Sequence, residues 1–359
     1  MQFMKILKSI LRIIVSILLI TGLGFAVFLA WATLKDYRPA GIERLKVNGE
    51  GMPLTGVADT LSLLTWNIGY GGLGKEMDFF YEGGKKVRPS AEDFGRYFSG
   101  IMGSLTHSGY PDFVFIQEVD RQSKRSRYID EAAMIDSIFN GYSSVYATNY
   151  RAGFVPIPLS DPMGQVEAGL LTLSRYRPSE AERVSYPSSY SWPKRLFMLD
   201  RCFILSRIKI SGHADLVLIN THNSAFSDAA DMRKKELALL RKAIMDEYAK
   251  GNYVIAGGDW NQNPLPFNPD SITDRNKTHR ITPPIPADFL PTGWQWACDL
   301  TRVTNRDVNE PYMKGHTGTT IIDFYVVSPN VEVLGVNTLQ QDFEYSDHRA
   351  VGMRVRLER

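Results

Sequence analysis

The chain has 359 residues, 44% of them hydrophobic and 22% charged, with a formal net charge of +2. This is the composition of an ordinary globular protein, long enough for one large domain or two modest ones, with no tandem repeat or coiled-coil heptad. Two cysteines, Cys202 and Cys298, are too few for a disulfide framework and lack zinc-ligand spacing, so they read as small buried hydrophobes.

Ile13 to Leu34 contains no charged residue. As a helix rising about 1.5 Å per residue it would be roughly 30 Å long, enough to cross a bilayer. Lys5, Lys8 and Arg12 precede it, so the positive-inside rule puts the amino terminus in the cytoplasm and the rest outside, although Lys35, Arg38 and Arg44 weaken the asymmetry. The alternative is a cleaved signal, because Ala30-Trp31-Ala32 has an A-x-A form; the length of the apolar run favours a retained anchor. Removing the three N-terminal cations from the net +2 leaves −1, so the exported part is not basic. The expected organisation is an anchor over 1–35, a linker with one short strand over 36–60, and one domain over 61–359.

Leu61 to Trp66 is an apolar run of strand type ending on Asn67. The glycine-rich stretch that follows nearly spells a phosphate-binding loop, but Glu76 stands where a magnesium-holding Ser or Thr belongs, so a flexible loop is expected. A helix is predicted over 91–105, and then Phe113-Val114-Phe115-Ile116 forms a buried strand that ends on Gln117-Glu118. Residues 128–139 read as a helix and 142–148 as a strand, followed by a proline-rich loop over 153–164 and a strand over 169–174. Strands are expected over 202–210 and 216–221, joined by Ser211-Gly212, and the second ends on His222-Asn223-Ser224. Residues 228–250 carry the clearest helical stripe, Leu237, Leu240, Ile244 and Tyr248, with Gly251 as its stop.

Tyr253 to Ala256 is a strand running into Gly257-Gly258-Asp259-Trp260-Asn261, where two glycines permit a sharp turn and Asp259 and Asn261 can point the same way. Residues 262–296 form a long proline-rich excursion carrying Trp294 and Trp296, which either pack or rest on a membrane interface. Ile321 to Val327 is a strand with Asp323 among apolar neighbours, and a buried aspartate needs a partner. Finally Ser346-Asp347-His348 precedes the alternating strand Val351, Met353, Val355, Leu357. A loop histidine beside a carboxylate is a candidate acid or base.

Polar groups thus recur at or beside strands in the order Asn67, Glu118, His222, Asp259 with Asn261, Asp323, and Asp347 with His348. That order and its local contexts (T-W-N, Q-E, T-H-N-S, G-D-W-N, I-D-F, S-D-H) resemble the endonuclease/exonuclease/phosphatase superfamily. The superfamily includes deoxyribonuclease I-like enzymes, neutral sphingomyelinases and inositol polyphosphate 5-phosphatases. The likeness runs from about Leu61 to the carboxyl terminus. It departs where Asn223 follows the histidine in place of leucine, and where Thr319-Thr320-Ile321 lacks a basic residue; both changes bear on substrate choice.

The resemblance implies an α+β fold, a four-layer α/β/β/α sandwich of two mixed sheets, preceded here by the N-terminal transmembrane helix. It implies a phosphoesterase dependent on Mg²⁺ or Mn²⁺. Glu118, Asn67 and Asp347 would surround the metal, while Asp323 fixes the tautomer of His348. His348 or Asp259 would serve as general base, and Asn261 and His222 would donate hydrogen bonds to the phosphoryl oxygens. The expected substrate is a small or lipid-linked phosphoester, and the expected state is a monomer with its catalytic domain outside the cytoplasmic membrane. An exported nuclease acting on DNA or RNA is the close alternative, for which the one dense basic run is Lys124-Arg125-Ser126-Arg127. A tethered binding module that has lost catalysis is the alternative of another class.

Overall fold

A computed structural model describes residues 2–358 except 59, 188–189, 226–229, 266 and 273–281. Among the described residues the helices are α1 (Gln2–Leu34), α2 (Ala91–His107), α3 (Glu131–Ile138) and α4 (Ala230–Ala249). The first strands are β1 (Ile42–Arg44), β2 (Leu61–Asn67), β3 (Phe113–Asp120), β4 (Ser143–Val155), β5 (Gly164–Ser174), β6 (Glu180–Ser185), β7 (Cys202–Ile208) and β8 (Leu216–His222). The later ones are β9 (Tyr253–Asp259), β10 (Gln295–Ala297), β11 (Asn305–Arg306), β12 (Thr319–Thr320), β13 (Asp323–Val327), β14 (Val331–Thr338) and β15 (Val351–Leu357).

Two mixed sheets stack face to face, in the orders β14-β15-β2-β3-β5-β4 and β1-β6-β7-β8-β9-β13-β10. The alternating sequence of β15 explains its place: Val351, Met353, Val355 and Leu357 are buried toward the opposite sheet, while Arg354 and Arg356 face solvent. Phe113, Phe115, Leu218, Ile255 and Tyr325 join them between the sheets. The outer faces carry the helices. Phe94, Phe98 and Ile135 of α2 and α3 cover one sheet, and Leu237, Leu240 and Ile244 of α4 cover the other. The result is the four-layer sandwich, and β3 and β9 read as unbroken apolar runs because both of their faces are covered.

The helices start where the sequence caps them. The Ser90 side chain accepts from Asp93 N and the Asp130 side chain from Ala133 N, each satisfying an orphan amide. The predicted helix over 228–250 is seen as Ala230–Ala249; its first two residues lie outside the described ones. The short strand expected within 36–60 is β1, whereas β6, β10, β11, β12 and β14 lie beyond the predicted strands, and β10, β11 and β12 are only two or three residues long. The predicted loop over 153–164 shrinks to 156–163, since β4 and β5 extend toward it. Within the expected linker, residues 42–54 lie along the sandwich: β1 pairs with β6, Asn48 bridges to Ser144, and Leu54 to Ile210.

The α1 helix is 33 residues long, apolar enough to cross a membrane, and exposed along that apolar window. Trp294 and Trp296 are packed among Tyr248, Phe289 and Phe324, so packing, not an interface, accounts for them.

Candidate active site

Strand register builds one half of the site. His222 ends β8, Asp259 ends β9 and Asp323 begins β13; His222 pairs with Asp259, and Asp259 with Asp323, so the three stand in one row across the sheet. Gly258 makes this row possible. Its φ is 143°, and a Cβ there would lie 2.0 Å from the Thr221 carbonyl oxygen. The opposite sheet pairs Asn67, the last residue of β2, with Gln117 inside β3. Between Ile116 and Val119 the register against β5 shifts, and Glu118 takes φ 56°. Such a bulge turns a side chain out of the strand's alternation and holds strained backbone at the site.

These groups converge. Asn67 Nδ2 donates to Asp259 Oδ2 at 3.0 Å and to Glu118 Oε1 at 3.4 Å. Its Oδ1 accepts from Gly69 N at 3.0 Å, so the amide presents nitrogen, not the expected neutral oxygen, to the carboxylates. His222 Nε2 lies 3.4 Å from Asp259 Oδ2 and 3.8 Å from Glu118 Oε1. Asn261, at φ 51°, donates its amide to the Asn223 carbonyl at 2.9 Å, while its backbone N–H reaches Asp259 Oδ1 at 2.9 Å. That acceptor is backbone, while the Asn223 side-chain oxygen accepts from Tyr186 and Thr221.

The loop before β15 closes the group. His348 Nδ1 lies 2.9 and 3.1 Å from the two oxygens of Asp323. Its Nε2 faces Asp259 Oδ2 at 3.7 Å and Asp347 Oδ2 at 3.8 Å. Asp347 comes close to the loop after Asn67 because Gly69 has no side chain; a Cβ there would sit 2.9 Å from Asp347 Oδ1.

The electrostatics follow from burial. Burial alone would keep His348 neutral, but Asp323, Asp347 and Asp259 surround it and push it up to about 10. Burial, with Arg201 and His348 adding repulsion, drives His222 well below the ordinary histidine value. Asp259 is raised by burial and by Asp323, against the pull of His348. Asp347 is raised to about 7, chiefly by burial and secondarily by the charge on Glu118.

Glu118 and Asp347 therefore repel each other across the site, and they offer the hard oxygen donors that suit a divalent cation. Asp259, Asp323 and His348 form a second compact group of possible ligand atoms. Both oxygens of Asp323 face the His348 Nδ1, so this group is built to orient an imidazole more than to cage an ion.

Residues 64–348 match the endonuclease/exonuclease/phosphatase family. The chain belongs to that family. As a member it is a hydrolase of phosphoester bonds, and its relatives use divalent metals. Its fold is shared with the endonuclease/exonuclease/phosphatase protein of Beutenbergia cavernae DSM 12333, at TM-score 0.51 and 18% identity over 84% of this chain and 72% of that one. ANGEL2, a 2′,3′-cyclic phosphatase solved with adenosine-2′,3′-vanadate, matches at TM-score 0.55 and 13% identity, over 88% and 99% of the two chains. TDP2 from Caenorhabditis elegans matches at TM-score 0.51 and 15% identity, over 83% and 75%. No curated protein matches the chain by sequence.

Sequence patterns in this family member left several neighbours unseen. The Asn305 side-chain amide meets His348 Nε2 at 3.0 Å from a two-residue strand, too short to announce itself. The basic run at 124–127 is not a patch. Arg125 is buried, donates to both oxygens of Asp120 at 2.9 and 3.0 Å, and lies 3.6 Å over the Tyr70 ring. Lys124 and Arg127 donate to the carbonyls of Pro162 and Pro89. Around Glu76, the near phosphate loop is a brace: its carboxylate accepts from Arg96 and from Tyr97, each at 2.8 Å.

Glu118, His222, Asp259, Asn261, Asp347 and His348 form the polar end of a cavity of about 470 Å³. Its other walls are mainly apolar, from Phe79, Tyr150, Val155, Met163, Phe197 and Leu199. No stretch of sequence foretells this chamber, because its walls come from segments scattered between Tyr70 and His348.

Proposed function

We propose that this hydrolase is a divalent-metal-dependent phosphoesterase, tethered to a membrane by α1, that cleaves a small or lipid-linked phosphoester by direct attack of water. The observation that carries this reading is the placing of Asp259 between His222 and His348 and opposite Glu118, at the polar end of an apolar chamber. Glu118 and Asp347 would hold Mg²⁺ or Mn²⁺, which would offset the negative charge on the phosphoryl oxygens.

Asp259, made more basic than an ordinary carboxylate by burial, takes the proton of the attacking water. The water oxygen bonds to phosphorus, the ester P–O bond breaks, and the leaving alkoxide is protonated from solvent. Asp323 keeps His348 charged and aimed, so its imidazolium donates toward the phosphoryl group and does not compete as the base. His222, held neutral, and Asn261 add hydrogen bonds to the same oxygens. Asn67 spaces Glu118 from Asp259. Of the basic run that favoured a nuclease, Arg125 is buried against Asp120, and the binding-module alternative must account for the whole chemical set gathered at one end of the chamber.

Hydrolysis of bis(p-nitrophenyl) phosphate by the full-length protein tests the reading. Activity should vanish with EDTA and return with Mg²⁺ or Mn²⁺. Turnover unaffected by chelation, or none with either metal, would refute it.

A further inference from the structure

The cavity and the N-terminal helix share a wall. Phe197 lines the cavity, and its ring also stacks on Phe28 of α1, with centroids 5.9 Å apart and planes 7° from parallel. Phe28 also meets Phe154 edge-on at 6.2 Å, Trp31 lies over Gly153, and Trp192 Nε1 donates to Thr33 Oγ1 at 3.1 Å. One aromatic ring thus separates the chamber beside the catalytic groups from a helix of membrane-crossing length.

Depth follows from the helix. Phe28 stands six residues before Leu34, about 9 Å along the axis at roughly 1.5 Å per residue, and the first charges beyond are Lys35 and Asp36. If α1 spans a bilayer, its contact with Phe154 and Phe197 sits at the level of the lipid interface. The adjoining surface suits that level. Leu159 is 81% exposed, Trp192 54% and Ile157 45%, and Ile157 also lines the cavity. Exposed apolar side chains grouped beside an apolar helix mark an interaction surface, and tryptophan is favoured where lipid meets water.

We infer that Phe154, Ile157, Leu159 and Trp192 rest in the bilayer interface and open the catalytic chamber onto the lipid leaflet. The substrate is then an amphiphilic phosphoester whose hydrocarbon portion occupies the apolar walls while its phosphate reaches Asp259 and His348. The chamber's volume is within the range of small-molecule sites, roughly 300–1,000 Å³, and its apolar lining gives a hydrocarbon an environment like the one it leaves. This deepens the phosphoesterase reading and rests on it.

Two measurements on the full-length protein in phosphatidylcholine–phosphatidylglycerol nanodiscs test the inference. The first compares product release from long-chain phospholipid in the same disc with release from soluble bis(p-nitrophenyl) phosphate. The double variant Leu159→Glu with Trp192→Ser should lose at least tenfold on the lipid and stay within twofold on the soluble ester. Equal loss on both, no loss on the lipid, or a wild-type preference for soluble nucleotide phosphodiesters over every bilayer phosphoester would overturn it. The second reads position without turnover: brominated phosphatidylcholine should quench wild-type fluorescence more than that of Trp192→Phe. Equal quenching removes Trp192 from the bilayer and sinks the inference whatever the enzyme hydrolyses. Strong quenching with no phosphoester turnover supports the docking surface and strikes only the phosphoesterase reading.

Discussion

His348 Nδ1 stands 2.9 Å from Asp323 Oδ2 although 25 residues of sequence separate them. The contact forms because Asp323 begins β13 beside Asp259 while His348 is carried in from the loop before β15. A charged imidazole depends on this partner for orientation, so the first prediction concerns the pair. His348→Ala should reduce kcat by about 10²–10³-fold, the loss typical of removing one preorganised donor to the charge that develops in the transition state, and Asp323→Ala by less. Steady-state kinetics at saturating metal would check this, and full-rate His348→Ala would remove the histidine from the mechanism.

Asp259→Asn separates the base from its scaffold. The amide oxygen can still accept from Asn261 N, although the bond from Asn67 Nδ2 is lost, and the water loses its proton acceptor. A kcat loss of several orders of magnitude with little change in melting temperature is expected. A loss no larger than that of Asp323→Ala would return the role of base to His348.

Glu118→Gln should abolish activity and weaken binding of Mg²⁺ or Mn²⁺, read by calorimetric titration, while circular dichroism stays native. Glu118 is partly exposed at the cavity, and a glutamine oxygen can still accept from Asn67, so stability should hold. Near-normal turnover in Mg²⁺ would mean that the cation is held elsewhere.

Orientation in the membrane is tested by fusion after Arg359. Alkaline phosphatase should be active there, and green fluorescent protein exported by the general secretion route should be dark. The reverse pattern would place the catalytic domain in the cytoplasm.

Asp200 lies near the helix exit, where Asp36 accepts from Arg38 at 2.9 Å and pairs with Arg195 at 3.1 Å. Burial raises Asp200 from 3.8 to about 6; Arg183 and Arg195 oppose the rise and Asp36 adds to it. An acid raised on folding binds more protons in the native state, so its contribution to stability falls as pH climbs from about 4 to 6. Asp200→Asn should therefore melt higher than wild type above pH 6 and lose that advantage near pH 4. An equal shift at both pH values would point to packing instead.

The sequence exposed the candidate site through one physical signal, a polar residue closing an apolar strand. That signal located Asn67, Glu118, His222 and Asp259, and the sheets then brought them together. It could not give the direction in which Asn67 turns its amide, because Gly69 N–H decides that. Arg125 read as surface charge because its partners, Asp120 and the Tyr70 ring, become apparent only in three dimensions. Trp294 and Trp296 drew attention to an interface, yet Trp31 and Trp192 stand where helix and domain meet. Composition marks a tryptophan as amphipathic; only tertiary contacts say which one is left facing outward.

The row His222–Asp259–Asp323 lies within sheet pairing, whereas Phe154, Ile157, Leu159 and Trp192 lie on a strand end and the loops beside the helix. On the proposed reading, bond-breaking and substrate choice fall to parts that vary under different constraints. A register slip of one residue would turn Asp259 to the wrong face and end catalysis, but insertions between 156 and 163 leave every pairing in that row untouched. The enzyme can acquire new substrates by loop exchange without rebuilding its chemistry, and related chains should diverge most in length between β4 and β5.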